Sequence, residues 1–68
     1  MTWNDLDPTY RHLAELHLTP KQLRALKLSE GGLGYRLIAE DMGCSFTTAR
    51  YHVREARQKM RRLIEEAA

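Results

Sequence analysis

The sequence predicts an all-α fold of four helices, the last of them long, and three observations support this prediction. Apolar residues recur at the spacing of an amphipathic helix, as at Leu37, Ile38 and Met42. Both prolines directly follow an Asp or Thr that can cap a helix, and the four glycines lie between helical stretches. Residues 46–68 contain neither Gly nor Pro, so nothing interrupts a long final helix.

The bulk composition indicates one small domain without a metal or cofactor. With 68 residues, the chain (1–68) lies near the size at which a single core stabilises a fold without a metal, disulfide or partner. Its one cysteine, Cys44, excludes an internal disulfide and a cysteine-based zinc site. No stretch resembles a signal peptide or approaches the ~18 apolar residues of a membrane span. We therefore expect a cytoplasmic protein without membrane contact.

The first helix is predicted over residues 8–17. Asp7 can cap it, and Pro8 suits its first turn because proline presets φ and lacks an N–H that would stay unpaired there. The side chains expected on its buried face are Leu13, Leu16 and either Tyr10 or His17. Residues 1–6 carry no strong signal, and we expect them to be flexible unless Trp3 docks in a groove and pins them.

The second helix is predicted to begin after Thr19, where the N-cap pattern is stronger than the one at Asp7. Thr19 can cap it while Gln22, three residues later, reaches back to form a capping box around Pro20. Gly31-Gly32 ends it. Its apolar stripe consists of Leu23, Ala25, Leu26 and Leu28.

Residues 34–59 have the pattern of a helix-turn-helix motif. The shorter helix ends at about Met42, because Gly43 can adopt the left-handed conformation that stops a helix. Ser45 is a good N-cap for the longer helix, which follows after a three-residue turn. Ala39 is small, so the second helix can approach the first closely, as this motif requires.

The last helix carries a narrow apolar seam that continues beyond the motif. Spacings of four and three alternate through Ala49, Val53, Ala56, Met60, Leu63 and Ala67. A helix of about twenty residues is about 30 Å long and overhangs a core of three short helices. The overhanging residues must therefore meet the first helix or a second subunit, and we favour a homodimer contact through Met60, Leu63, Ile64 and Ala67.

Positive charge is concentrated in the last helix, although the formal net charge is only +2. Residues 50–62 contain a single acidic residue, Glu55, against six basic ones: Arg50, Arg54, Arg57, Lys59, Arg61 and Arg62. Such clustering is typical of a polyanion binder, and it also occurs in solvated helix faces and in calmodulin-type target helices.

A longer pattern runs without a gap from Leu18 to Met60. It comprises Leu18-Thr19-Pro20-Lys21-Gln22, Leu26, Leu28, Gly32-Leu33, Ile38-Ala39-Glu40, Met42-Gly43, Ser45, Thr48, His52-Val53 and Lys59-Met60. This pattern resembles the DNA-binding domain of the LuxR/GerE type, and equally region 4 of bacterial sigma factors. The tail from Arg57 to Ile64 favours the sigma-like version, whereas His52 favours the LuxR-like one.

Three positions depart from that resemblance. Leu37 stands where both families commonly have glutamate and adds an apolar group beside the motif. Ala49 stands where a β-branched residue is typical, which leaves a smaller contact between the motif helices. Phe46 is larger than usual, and we expect it to fill the space beside Ala49.

The resemblance implies that the helix starting near Phe46 enters the major groove of double-stranded DNA with its N-terminal half. The positions that would contact bases are Thr47, Thr48, Arg50, Tyr51 and Arg54. An arginine there can bind guanine O6 and N7 with two hydrogen bonds. The competing interpretation is a solvated polar face.

Contacts to DNA phosphates are expected from Lys21, Tyr35, Arg36, His52 and Arg57. Tyr35 and Arg36 open a helix whose N-terminus presents free N–H groups and a positive dipole end. For the other cationic residues, ordinary surface solubility is an equally good explanation.

The first functional hypothesis is a sequence-specific transcriptional regulator, prokaryotic or phage, that is nucleoid-associated and acts as a dimer. An enzyme is not expected, because the chain has no paired carboxylates, metal cluster or phosphate-binding glycine loop. The alternative is a protein-interaction module with a sigma-like fold that binds RNA polymerase or another regulator. A role in phage DNA packaging or recombination remains compatible with the same motif.

Overall fold

The computed structural model describes residues 2–67, which form four α-helices after a short 3-10 helix at Trp3–Asp5. The α-helices are α1 (Pro8–His17), α2 (Pro20–Glu30), α3 (Tyr35–Met42) and α4 (Phe46–Ala67), and the described residues contain no strand. The predicted all-α fold with a long last helix is confirmed.

The first two helices begin at the predicted caps. The side chain of Asp7 accepts a hydrogen bond from the backbone N–H of Thr9 at 2.7 Å. Thr19 accepts from the N–H of Gln22 at 3.2 Å, and Gln22 accepts in return from the N–H of Thr19 at 3.1 Å. Each cap satisfies a backbone donor that would otherwise lack a partner at the helix start.

The first core cluster joins α1, α2 and the second half of α4. Its buried members are Ala14, Leu18, Leu26, Ala56 and Met60. The prediction that Leu16 is buried is wrong, since its side chain is 63% exposed. Ala14 occupies the buried position, and Tyr10 is half-buried beside it while His17 is exposed. Residues two apart on a helix point to nearly opposite sides, so burying Ala14 turns Leu16 outward.

Trp3 packs on this first cluster and holds the N-terminal segment against it. Of the two predicted alternatives, a flexible segment or one docked through Trp3, the structure has the docked one. The Trp3 ring lies 6.4 Å from that of Tyr10, and the Nζ atom of Lys27 lies 5.5 Å from the Trp3 ring centre. Asp5 accepts hydrogen bonds from the N–H and the hydroxyl of Thr2 at 3.0 and 2.9 Å. These bonds favour the carboxylate and lower the pKa of Asp5.

The second core cluster lies where α2, α3 and the first half of α4 meet. Its buried members are Ala25, Ile38, Ala39, Ala49 and Val53. The expectation that Phe46 fills space beside Ala49 is wrong, because Ala49 is already completely enclosed and Phe46 is 53% exposed. Leu37 is also an exposed apolar side chain, at 52%.

The α4 seam belongs mainly to the chain's own core. Met60 is 1% exposed, so the prediction that it contacts a partner is wrong. Leu63 is half-buried against the first cluster, whereas Ile64 is 45% exposed and Ala67 is exposed. The α4 helix is not exposed at Met60, because α1 packs against that part of it. With 22 residues, α4 runs through both clusters and sets the long dimension of the molecule, 35 Å.

Candidate nucleic-acid interface

The turn between α3 and α4 fixes the direction in which α4 leaves the core. Gly43 has φ 65° and ψ 37°, the left-handed conformation that only glycine adopts without strain. The N–H of Cys44 then donates to the carbonyl of Ala39 at 3.0 Å, which closes the end of α3. Ser45 caps α4 by accepting from the N–H of Thr48 at 3.1 Å. The predicted turn and cap are both present.

Four of the five predicted base-contacting residues share one exposed surface of α4, which we call the α4 outer face. Thr47, Arg50, Tyr51 and Arg54 line it together, bordered by Glu55 and Gln58. The four lie at helical spacing within two turns, so their side chains point to the same side. Over residues 2–67, neither Arg50 nor Arg54 forms an ion pair, and both guanidinium groups face solvent.

Thr48 is placed apart from this group. Its hydroxyl accepts a hydrogen bond from the Ser45 hydroxyl at 2.9 Å, and its side chain lies on a different side of α4. The Ser45–Thr48 pair therefore stabilises the start of the helix rather than extending the α4 outer face.

A second surface, the α2–α4 recess, brings together three nitrogen-bearing side chains. Lys21 and Arg24 contribute from the first turns of α2, and Thr48 and His52 contribute from α4. Lys21 and His52 were predicted as separate phosphate contacts, and they line the same recess. Arg24 was missed, although it follows Lys21 at a spacing of three, which places two side chains on the same side of a helix.

Arg24 is also the main ion-pair residue between α2 and α3. Its Nη2 atom lies 2.9 Å from Asp41 Oδ2 and donates to the Asp41 carbonyl at 3.0 Å, while its Nε atom donates to Oδ2 at 3.1 Å. The side chain remains 58% exposed. It therefore holds α3 against α2 and still presents cationic surface to the recess.

The N-terminus of α3 carries the other predicted phosphate contacts. Gly34 is its N-cap and provides no side-chain acceptor for the first N–H groups of the helix. Tyr35 is half-buried against the second cluster, and Arg36 is exposed beside it. This helix end therefore presents a tyrosine hydroxyl, an arginine and a positive dipole end close together.

Arg57 is a predicted phosphate-contacting residue that lies on neither the α4 outer face nor the α2–α4 recess. It donates to the Ser29 hydroxyl at 2.6 Å and lies 4.0 Å from a Glu30 carboxylate oxygen, at the C-terminal end of α2. These partners direct its guanidinium towards the side of the molecule formed by Tyr10 and Met60. Arg57 is thus a link between α2 and α4 and does not join the α2–α4 recess.

Residues 2–67 lack two other kinds of functional feature. No helix there is long and apolar enough to cross a membrane. The same residues contain no group of three His, Cys, Asp or Glu side chains placed to hold a metal ion.

Comparison with known proteins places this arrangement in a family. The family model described as sigma-70, region 4 matches residues 13–60, well over half of the chain. No curated protein and no solved structure matches the chain. The sigma-factor half of the resemblance is confirmed, and the LuxR/GerE half is not. Domains of this kind are non-enzymatic and bind DNA and RNA polymerase. The chain therefore belongs to the sigma-70 region 4 family of DNA-binding helix-turn-helix domains.

Proposed function

We propose that this protein is a sequence-specific transcriptional regulator of a bacterium or phage that reads the major groove of DNA with the α4 outer face. The observation that carries the proposal is the exposed set Thr47, Arg50, Tyr51 and Arg54, directed outward by a capped turn and a buried opposite side. An α-helix fits the major groove, and the N-terminal residues of such a helix contact base edges.

Each side chain of the α4 outer face suits a particular contact. Arg50 and Arg54 have free guanidinium forks for guanine O6 and N7, and each such contact discriminates by about 1–3 kcal/mol. Thr47 and Tyr51 combine an apolar part with a hydroxyl, which suits a thymine methyl group or a phosphate oxygen. Sequence preference is therefore assigned mainly to the two arginines.

Backbone contacts are assigned to the two surfaces that flank the α4 outer face. The α2–α4 recess offers Lys21, Arg24 and His52, and the α3 N-terminus offers Tyr35 and Arg36. Cationic side chains and helix N-termini position a protein on DNA without reading its sequence. Because these contacts release counterions, the association constant should fall steeply as salt concentration rises.

Substitution of the two arginines tests the proposal. The DNA site is first selected from random duplexes, and dissociation constants are then measured at fixed salt. Arg50→Ala and Arg54→Ala should each weaken binding to the selected site by about 5–150-fold, the equivalent of 1–3 kcal/mol, and relax the preference for one guanine. Arg62→Ala is the control, since it removes the same charge from an exposed position on the far half of α4. Unchanged binding in both test variants would overturn the proposal.

A protein-interaction role is the second candidate function. It is favoured by exposed apolar side chains that do not line the α4 outer face, namely Leu16, Leu37 and Ile64. Sigma region 4 domains bind RNA polymerase as well as DNA, and such surfaces suit a protein partner. DNA binding that is absent, or that barely changes with salt, would favour this function over the first.

A homodimer on a two-part DNA site stays a prediction. With Met60 buried, the contact residues that remain for it are Ile64 and Ala67, beside the half-buried Leu63. The symmetry of the selected DNA sites would report it, because inverted half-sites reflect a twofold protein dimer.

A further inference from the structure

Phe46 is an exposed aromatic side chain that the proposed function leaves without a role. It is the first residue of α4, and 53% of it is accessible to solvent. An exposed phenylalanine costs solubility and contributes little to a core that is already closed at Ala49. Its exposed position at the N-terminus of α4 therefore points to a role outside the core.

The ring of Phe46 is held in place by Tyr35. The two ring centres lie 5.7 Å apart with their planes at 86°, an edge-to-face arrangement that aromatic pairs favour. Tyr35 is itself half-buried against the second core cluster, so its ring is a firm support. A supported ring with two side-chain torsions loses little conformational freedom when it meets a ligand.

Phe46 also extends the α4 outer face. Arg50 follows it by four residues, so the two side chains are neighbours one helical turn apart, and Thr47 is next to it in sequence. An apolar ring thus precedes the arginine that we assign to guanine.

We infer that Phe46 is a specificity-determining residue that contacts the 5-methyl group of a thymine in the major groove, a conclusion that rests on the proposed function. The thymine methyl is the apolar group that an unmodified base pair presents there, and a phenylalanine ring cannot hydrogen-bond to the other base-edge groups. Burying one methyl group against the ring favours thymine over a base without it by about fourfold.

Replacing thymine by deoxyuracil tests this contact, because the exchange removes the methyl group and leaves the hydrogen-bonding edge unchanged. Each thymine of the selected site is replaced in turn, and dissociation constants are measured for the wild type and for Phe46→Ala. At one or two positions the wild type should lose about fourfold in affinity, and Phe46→Ala should bind both duplexes equally. Phe46→Leu, which keeps an apolar side chain, should retain part of the difference.

Leu16→Ala is the matched control, since Leu16 is also an exposed apolar side chain but lies on α1 and lines neither the α4 outer face nor the α2–α4 recess. It should keep the response to deoxyuracil at the positions that depend on Phe46. Equal wild-type affinity for all the substituted duplexes, or the same thymine preference in Phe46→Ala, would overturn the inference. If Arg50→Ala still weakens binding in that case, the proposed function stands without it. Failure of the wild type to bind any duplex would overturn both.

Discussion

Tyr10 shows how burial of a single side chain makes the stability of this protein depend on pH. The residue is half-buried in the first cluster, between the ring of Trp3 and the end of α2. Burial raises the pKa of Tyr10 above its ordinary value of 10.0, and the negative charge of Glu30 raises it further, while Arg57 opposes them. The protonated hydroxyl is therefore the form that the folded state favours.

The stability that Tyr10 contributes should be lost in alkaline solution. Because its folded-state pKa lies above the unfolded value, this contribution is complete below pH ~10 and declines as pH rises through the folded-state pKa. Urea unfolding measures this effect in the wild type and in Tyr10→Phe. The free energy of unfolding should fall more steeply for the wild type within about one pH unit of the ordinary tyrosine pKa. Parallel pH profiles for the two proteins would contradict the assignment.

Residue-scale burial was the least predictable feature of the sequence. Leu16 and Leu13 are both leucines at plausible helical positions, yet one is exposed and the other packs on the core. Hydrophobicity does not distinguish them, because the side of α1 that faces inward is chosen by Ala14, which lets the helix approach α4 closely. The close packing of a neighbouring helix determines which positions need a small side chain.

At the scale of elements, the ends of the helices follow from local chemistry. The caps at Asp7, Thr19 and Ser45 each bond to a backbone N–H two or three residues ahead. Gly43 supplies the left-handed residue between α3 and α4. Interactions of such short range are encoded in a few consecutive residues, which is why the helix boundaries could be predicted closely.

The link between α2 and α3 is an element-scale prediction that separates structure from DNA binding. A double-mutant cycle of Arg24→Ala and Asp41→Ala should give a coupling free energy of unfolding of at most ~1 kcal/mol, because the ion pair is exposed. For DNA affinity, Arg24→Ala should weaken binding, whereas Asp41→Ala should not, since it removes a negative charge and leaves the arginine in the α2–α4 recess.

Fluorescence of a labelled duplex at several salt concentrations measures the second part. Arg24→Ala should reduce the slope of log K against log salt by about one unit if a phosphate contact is lost. Equal losses of affinity in the Arg24→Ala and Asp41→Ala variants would indicate instead that the ion pair acts only by holding α3 in place.

At the scale of the whole molecule, α4 joins two clusters that would each be too small to stand alone. Ala49 and Val53 belong to the second cluster, and Ala56 and Met60 to the first. The helix that presents the α4 outer face is thus anchored along its opposite side over about three turns. Loss of packing near α1 should therefore affect the interface as well as stability.

Met60 and Ile64 form a matched pair for testing that anchor. Met60→Ala should destabilise the fold by about 2–5 kcal/mol, because the side chain is fully enclosed. Ile64→Ala should change stability by only ~0.5 kcal/mol, since Ile64 is 45% exposed. Urea unfolding followed by circular dichroism measures both effects.

The same pair bears on self-association. Ile64→Ala should weaken a dimer in sedimentation experiments if its side chain contributes to a twofold contact.

Similar destabilisation by Met60→Ala and Ile64→Ala in the urea experiment would contradict the division between core and surface in α4.

Local sequence features predicted the helix boundaries, the helix-turn-helix at residues 34–59 and the long, basic last helix. These features depend on caps, turn residues and periodicity, all of which act over a few residues. Other features became apparent only in the folded chain: Met60 is core, His52 lies beside Lys21 in one recess, and Phe46 packs on Tyr35. Those outcomes depend on which helix packs opposite each side chain, and contacts between different helices leave no pattern in a few consecutive residues.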